Sequence, residues 1–360
     1  MIRYLALLLP GLAFANLEQR VELQNRVFVD DDQPYLNDAT LAYEAKTHHY
    51  LDNDDLLQFT LKAQTSSRSD DREFVDFSEL YWSRMRDQWE LKAGVDTVFW
   101  GKAETVNVVD VINQKNNLSI ENKAKLGRPM LRYSYFLEDG VLDAFYLPDH
   151  RAREFSSGRE GLSVTANAYE DRSQDSLALR LQQTLGEFDL ALSYFSGINN
   201  APRLVASGSN YTAHYDKVEQ WLFDGQLTTD ETLYKAEYLR DTDNNYQSVI
   251  GLEHFMGDLW SVNLLLEYMR SNQSTKVFQN DSMLGLRVEL NDEQGSEALV
   301  SWVRDHDHHS NTLSVRGSRR LDNDNKLTLE FKAFDIGSSD SALRLQDAND
   351  QLSIGLQHFF

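Results

Sequence analysis

The chain has 360 residues, no cysteine and a formal net charge of −22. So negative a balance argues against nucleic acid as a partner, because phosphate contacts need a cationic surface. Without cysteine, stability must come from backbone pairing and burial rather than disulfides, and beyond the N-terminus no apolar run approaches the roughly 20 residues of a membrane helix.

Residues 1–15 read MIRYLALLLPGLAFA. One early cation (Arg3), a short apolar centre and the small-x-small ending Ala13-Phe14-Ala15 are the three parts of a secretory signal peptide. The expected division is therefore a cleaved leader over 1–15 and a single β domain over 16–360. A buried N-terminal helix is the alternative.

Past Ala15 the dominant pattern is alternation with a period of two residues. Trp89, Leu91, Ala93 and Val95 share one face, and Glu90, Lys92, Gly94 and Asp96 the other. Leu177, Leu179 and Leu181 oppose Ala178, Arg180 and Gln182, and Leu327, Leu329 and Phe331 oppose Thr328, Glu330 and Lys332. Such segments fall near 18–28, 37–47, 55–65, 73–84, 88–98, 129–137, 140–147, 174–185 and 187–196. They continue near 215–227, 231–240, 246–256, 258–270, 277–290, 296–304, 311–320, 326–335 and 350–360. Many are about ten residues long, enough to cross a bilayer at a tilt. Aromatics gather toward their ends (Tyr133, Tyr135, Tyr194, Trp260, Tyr268, Trp302), as interfacial girdles require.

The predicted fold is all-β: a transmembrane antiparallel barrel of about 18 strands, with 16 as the alternative count. Short turns at Arg86-Asp87, Glu138-Asp139-Gly140, Gly186, Gly257-Asp258 and Asp322-Asn323-Asp324 alternate with long connections near 99–128, 148–173 and 197–214. Short turns at one end and long loops at the other are the outer-membrane pattern. The last strand sets Leu352, Ile354, Leu356 and Phe360 on one face, the expected closing strand and assembly tag. A soluble sandwich or propeller also alternates, but no repeat of about 40–50 residues is present.

Several stretches resemble a largely uncharacterised family of porin-like outer-membrane proteins of proteobacteria. They are ELYWSRMRDQWELKAGVDTVFWGKAETVNVVDVINQ from Glu79, LGRPML from Leu126, PDHRAREFSSGREG from Pro148, SYFSGINNAPRL around Ser196 and FQNDSMLGLRVELND around Asn280. The resemblance spans most of the chain after the leader and implies the family's barrel. It assigns no ligand and no catalytic residue.

Three clusters carry possible chemistry. In the long third outward connection, 99–128, Val106, Val109, Val111 and Ile112 have roughly helical spacing beside Glu104 and Asp110. By analogy with general porins it is expected to fold into the lumen as a helix whose carboxylates narrow the pore; an external loop or lid is the alternative. The connection 148–172 brings His150, Arg151, Arg153 and Arg159 together, and Arg132 and Arg180 on flanking strands extend the set toward an anionic solute. Neutralisation by Glu154 and Glu160 is the competing reading. The third cluster, Asp305-His306-Asp307-His308-His309, has metal-ligating chemistry at a hairpin tip, where solvated residues are the commoner case. The Asp30-Asp31-Asp32 run lacks the ligand spacing of a calcium loop. On the lumen face, Glu90 and Lys92, Lys235 and Glu237, Arg287 and Glu289, and Glu330 and Lys332 are expected to pair along their strands.

Nucleophile-elbow, metalloprotease, P-loop and dinucleotide motifs are absent, and Ser301 and His254 have no supporting spacing. The expected function is passive or facilitated diffusion of small hydrophilic solutes, with no cofactor and no catalysis. A non-conducting receptor, adhesin or scaffold is the chief alternative, and an outer-membrane enzyme a weaker one. Expected partners are outer-membrane lipid, lipopolysaccharide bridged by divalent cations, and the barrel-assembly machinery. A homo-oligomer stays open, because a buried interface and a lipid face carry the same apolar pattern.

Overall fold

The structure is a computed structural model that describes residues 16–29, 37–68, 72–121, 123–155, 163–170, 173–208, 210–257, 260–273, 278–340, 343–347 and 349–360. The expected leader over 1–15, the Asp30–Asp32 run, Asp258 and Arg159 lie outside these residues.

Alternation becomes strand throughout the chain. The first strands are β1 (Glu18–Phe28), β2 (Asn37–Tyr50), β3 (Leu56–Ser66), β4 (Phe74–Arg86), β5 (Trp89–Asp96), β6 (Arg128–Leu137) and β7 (Gly140–Leu147). Next come β8 (Val164–Tyr169), β9 (Ser176–Leu185), β10 (Phe188–Ile198), β11 (Arg203–Ser207), β12 (Asn210–Tyr215), β13 (Lys217–Thr228) and β14 (Thr232–Asp241). The last are β15 (Tyr246–Gly257), β16 (Ser261–Ser271), β17 (Asn280–Glu289), β18 (Glu297–Asp305), β19 (Asn311–Arg320), β20 (Asn325–Asp335) and β21 (Gln351–Phe359).

All but β8, β11 and β12 form one 18-stranded sheet. Each strand pairs antiparallel with its neighbours, and β1 closes the sheet on β21, with Arg20 opposite Phe359 and Phe28 opposite Gln351. Closure leaves the barrel sheet without a free edge strand, so its backbone groups pair within the wall. The short turns, such as 87–88, 138–139 and 186–187, lie at the end that holds both termini; the connections 97–127, 148–175 and 199–216 lie at the other. The three strands outside the barrel, missed in the sequence, are built from those long connections. There β12 pairs parallel with β8 and antiparallel with β11.

Outward positions are apolar. Leu23, Leu41, Leu179, Leu192, Ile250, Leu284, Leu329 and Ile354 are all exposed, a surface that only an apolar medium covers without penalty. Trp89, Tyr135, Phe188 and Tyr234 ring the end with the short turns, and Tyr146, Tyr194, Trp221, Tyr238, Tyr268 and Trp302 ring the other. Facing neighbours support one another: Tyr194 packs 4.9 Å from Trp221, and Trp89 stacks 6.3 Å from Tyr133, between ring centroids. Phe360 is exposed beyond β21, its N–H donating to the Gln19 carbonyl at 3.0 Å.

The strand-wise charge ladders are mostly not formed. Of the expected pairs only Glu330 with Lys332 forms, at 2.9 Å. Lys92 turns to Asp96 at 2.8 Å, Lys235 to Glu253 at 3.0 Å, and Arg287 to Glu104 at 2.8 Å and to Glu253. Lys235 and Arg287 thus reach carboxylates of nearby strands and of the connection 97–127, and Lys92 one four residues along its own strand.

Replacing lipid-facing Leu179 by arginine is expected to lower folding stability in lipid vesicles by about 2–4 kcal/mol. Urea titration of the vesicle-inserted protein reads this, and a loss under about 1 kcal/mol would count against a mid-bilayer position.

Candidate functional site

The connection 97–127 folds into the barrel. Its apolar residues Trp100, Ala103, Val108, Val109 and Ile112 are buried in one cluster with lumen-facing Phe145, Ala178, Phe195, Leu222, Leu239, Leu265 and Met269. Trp100 meets Phe145 edge-on at 5.8 Å, and the Arg180 guanidinium sits 4.9 Å from the Trp100 ring.

The expected helix is not there. Among its described residues 97–127 has turns, bends and a single bridge between Lys115 and Lys125. Its β-branched valines and isoleucines are stiff, poor helix formers, and wall carboxylates hold the backbone at the start of the run. Glu237 of β14 accepts from Lys102 (2.6 Å), Ala103 (2.8 Å) and Val108 (2.8 Å). Glu267 of β16 accepts from Glu104 (2.5 Å) and Thr105 (2.8 Å).

Both ends of the segment are tied down. Asn113 accepts from the Val98 N–H at 2.9 Å and donates to the carbonyls of Asp96 and Leu126, closing the neck. Buried Arg128 donates to the carbonyls of Ile112 (2.9 Å) and Asp149 (2.7 Å) and to Ser176 Oγ (2.9 Å). Across the lumen, Gln64 of β3 donates to the Leu118 carbonyl at 2.7 Å and accepts from the Ile120 N–H at 2.9 Å. Glu121 is clamped between Arg20 of β1 and Lys62 of β3. Burial alone would raise its carboxyl, but Lys62 and Arg20 outweigh burial and hold it below the usual range.

The segment thus bridges the wall from β14–β16 to β1–β3 and divides the interior. Behind it lies the apolar cluster. In front, along β17–β21 and β1, lie two cavities of about 510 and 410 Å³. They adjoin at Glu104, Glu121, Leu299, Arg316 and Glu330, which line both. At this waist Glu104 meets Arg287 at 2.8 Å and Arg316 at 3.4 Å, with Lys123 at 4.0 Å. A carboxylate from the inserted segment is therefore paired directly with two guanidiniums of the wall where the two cavities adjoin.

Of the residues singled out in the sequence, Glu104 lies at the waist and Asp110 lines the cavity nearer the long loops, 2.5 Å from Lys125. The cationic set is not assembled. Arg132 pairs with Asp143 at 2.9 Å, and Arg180, behind the segment, pairs with Asp224 at 2.7 Å. Arg151 binds Asp76 (2.6 Å) and the Gly127 carbonyl (2.9 Å), while the Arg153 guanidinium reaches Gln114 at 3.5 Å. Each is spent on holding the loops or wall; among the described residues Glu154 partners none of the four, and Glu160 lies outside those residues. His150 is buried against Tyr169 and Tyr215, its Nε2 3.2 Å from Asn200 Oδ1. Burial, reinforced by the Arg128 charge and only partly opposed by Asn200, pushes its pKa down to about 4. The tip histidines part company: His308 turns in to Asp305 at 2.8 Å, His306 out to Ser282 at 2.9 Å, and His309 takes a left-handed turn conformation.

Known proteins add little beyond this geometry. No family model and no curated protein matches the chain. Its fold superposes on porin mutants of Rh. blastica with TM-scores of 0.48 and 0.46 at 8% and 10% identity, over 96% of this chain and 99% of each of those. At such scores the likeness carries no weight beyond the barrel already described.

Sequence reading overlooked Glu237 and Glu267 as anchors. The signal was present: Trp221-Leu222-Phe223 and Leu264-Leu265-Leu266 are apolar on both faces, so the lumen side there must be covered, and the two glutamates are carboxylates beside it.

Glu237→Gln is expected to speed exchange of the Lys102, Ala103 and Val108 amides, and Glu267→Gln that of Glu104 and Thr105. Losing a charge-assisted bond, about 1.5–3 kcal/mol, corresponds to roughly tenfold or more. Hydrogen exchange with mass spectrometry checks this, and unchanged protection would remove the anchoring role. A second outcome concerns His150, neutral in the fold but free to protonate near 6.5 when unfolded. Its stabilising effect is complete above that pH and declines as pH falls toward about 4. NMR titration of histidine-labelled protein should find it neutral at pH 5.5; a midpoint near 6.5 would contradict its burial.

Proposed function

We propose that the protein is a bacterial outer-membrane pore through which small hydrophilic solutes diffuse passively, with 97–127 as its constriction. One observation carries this reading: the inserted segment leaves a polar path beside it, two adjoining cavities that meet at Glu104, Arg316 and Glu330. An 18-stranded barrel is wide enough for water unless loops fill it. Here the loop packs its apolar side on one wall, and its charged side leaves the other wall wet.

Mixed charge at the waist suits solutes that exchange hydrogen bonds with both signs better than it suits strict ion selection. The apolar belt fits outer-membrane lipid, with lipopolysaccharide on the side of the long loops, and leaves room for a homo-oligomer. In this reading the leader over 1–15 directs export and the closing strand is read by the assembly machinery.

Purified, refolded protein in planar bilayers should show discrete single-channel openings. Glu104→Gln removes the carboxylate charge of the inserted segment that pairs with Arg287 and Arg316 and should shift the permeability ratio toward anions by roughly twofold or more. A folded protein that never opens would overturn the pore and favour a non-conducting surface barrel.

A further inference from the structure

A second polar cluster lies at the opposite end from the termini, where the β18–β19 tip (306–310) meets the β20–β21 connection (336–350). Here the ligand atoms of Asp305, His308 and Asp340 all lie within 4.8 Å of one another. Asp305 and Asp340 are only 4% and 2% exposed. Asp281, 4% exposed, stands directly opposite Asp305 across the β17–β18 pair. Like charges facing across a ladder repel, and buried carboxylates are costly unless paired with a cation. Among the described residues no lysine or arginine forms an ion pair with Asp281 or Asp305. The neighbouring Arg304 donates to Asn311 instead, at 2.9 Å.

The two loops that bring these groups together fit closely. Ser310 Oγ donates to Asp340 Oδ2 at 2.7 Å and accepts from the Gly337 N–H at 3.0 Å. Any side chain at position 337 would collide with the His308 carbonyl. Asp305 Oδ1 takes the N–H groups of Asp307 (2.7 Å) and His308 (2.9 Å), which leaves Oδ2 turned toward His308 Nδ1 at 2.8 Å. Backbone shape therefore presents an imidazole nitrogen and carboxylate oxygens to one point from two separate connections.

We propose that Asp305, His308 and Asp340 bind a zinc-class divalent cation that ties these two loops together. One nitrogen with oxygen donors matches zinc, whose bonds of about 2.0–2.2 Å place neighbouring ligands roughly 3.3 Å apart, so small shifts bring the three donors into range. Calcium prefers six or more oxygens and fits the histidine poorly. Asp281 supplies a further carboxylate at the same point of the sheet, and the cation offsets a local excess of negative charge.

The test is zinc titration of the refolded full-length protein in detergent by calorimetry, with X-ray absorption at the zinc edge. One equivalent should bind, with a single imidazole among oxygen ligands. H308A, at a solvated tip, and D340N, on the other loop, should each weaken binding by about tenfold or more. A double variant H306A/H309A should bind as wild type, and calcium should not compete at equal concentration. The proposal is overturned if wild type takes up no zinc. It is equally overturned if the spectrum shows two or more imidazoles, or if H306A/H309A loses binding while H308A keeps it. The spectrum of wild type decides the matter even should D340N fail to fold.

Discussion

A chain segment inside a barrel must find partners for its backbone N–H groups without help from the wall's own ladder, which is already complete. Glu237 and Glu267 meet that need by accepting five N–H groups between Lys102 and Val108. Their position decides where the rest of the segment can lie. With 102–108 fixed to β14 and β16, Trp100, Val109 and Ile112 must pack on the apolar lumen face of β6–β16, and Glu121 reaches across to Arg20 and Lys62. The two cavities then lie on the β17–β21 side.

That arrangement also shapes the electrostatics. A protein of net charge −22 holds its lumen carboxylates in two ways: Glu104, Glu253 and Glu330 pair with arginine or lysine, while Glu237 and Glu267 accept backbone N–H groups. Glu104 is the residue where both systems meet, since its N–H belongs to the anchor and its carboxylate to the waist. A side-chain change there removes the charge at the waist and leaves the backbone N–H in its anchor.

The barrel was legible because a strand's side chains alternate with a period of two and lipid enforces that alternation on every strand. All 18 barrel strands lie where the pattern places them, with ends shifted by at most about four residues. What was not legible depends on contacts distant in sequence. β8, β11 and β12 are only five or six residues long, and they pair across separate connections, where Tyr169 and Tyr215 stack at 5.1 Å beside His150. Val106, Val109 and Ile112 looked helical because three-residue spacing also arises when an irregular segment lies on a flat apolar wall. Arg151, Arg153 and Arg180 are near one another in type and purpose only; in space each has found its own acceptor. The lumen position of Glu104 was readable by analogy, but its arginine partners, 183 and 212 residues away, were not.

Because the chain contains no cysteine, single cysteines can map the water path directly. The decisive measurement is the current through Ser301→Cys, Ser318→Cys and Ala178→Cys channels before and after a charged methanethiosulfonate reagent. Ser301 and Ser318 line the two cavities, whereas Ala178, also lumen-facing, is buried behind the inserted segment. The account predicts that reagent reduces current through the first two and leaves the third unchanged. Equal modification of all three, or block through Ala178→Cys alone, would mean that the segment does not divide the lumen as described.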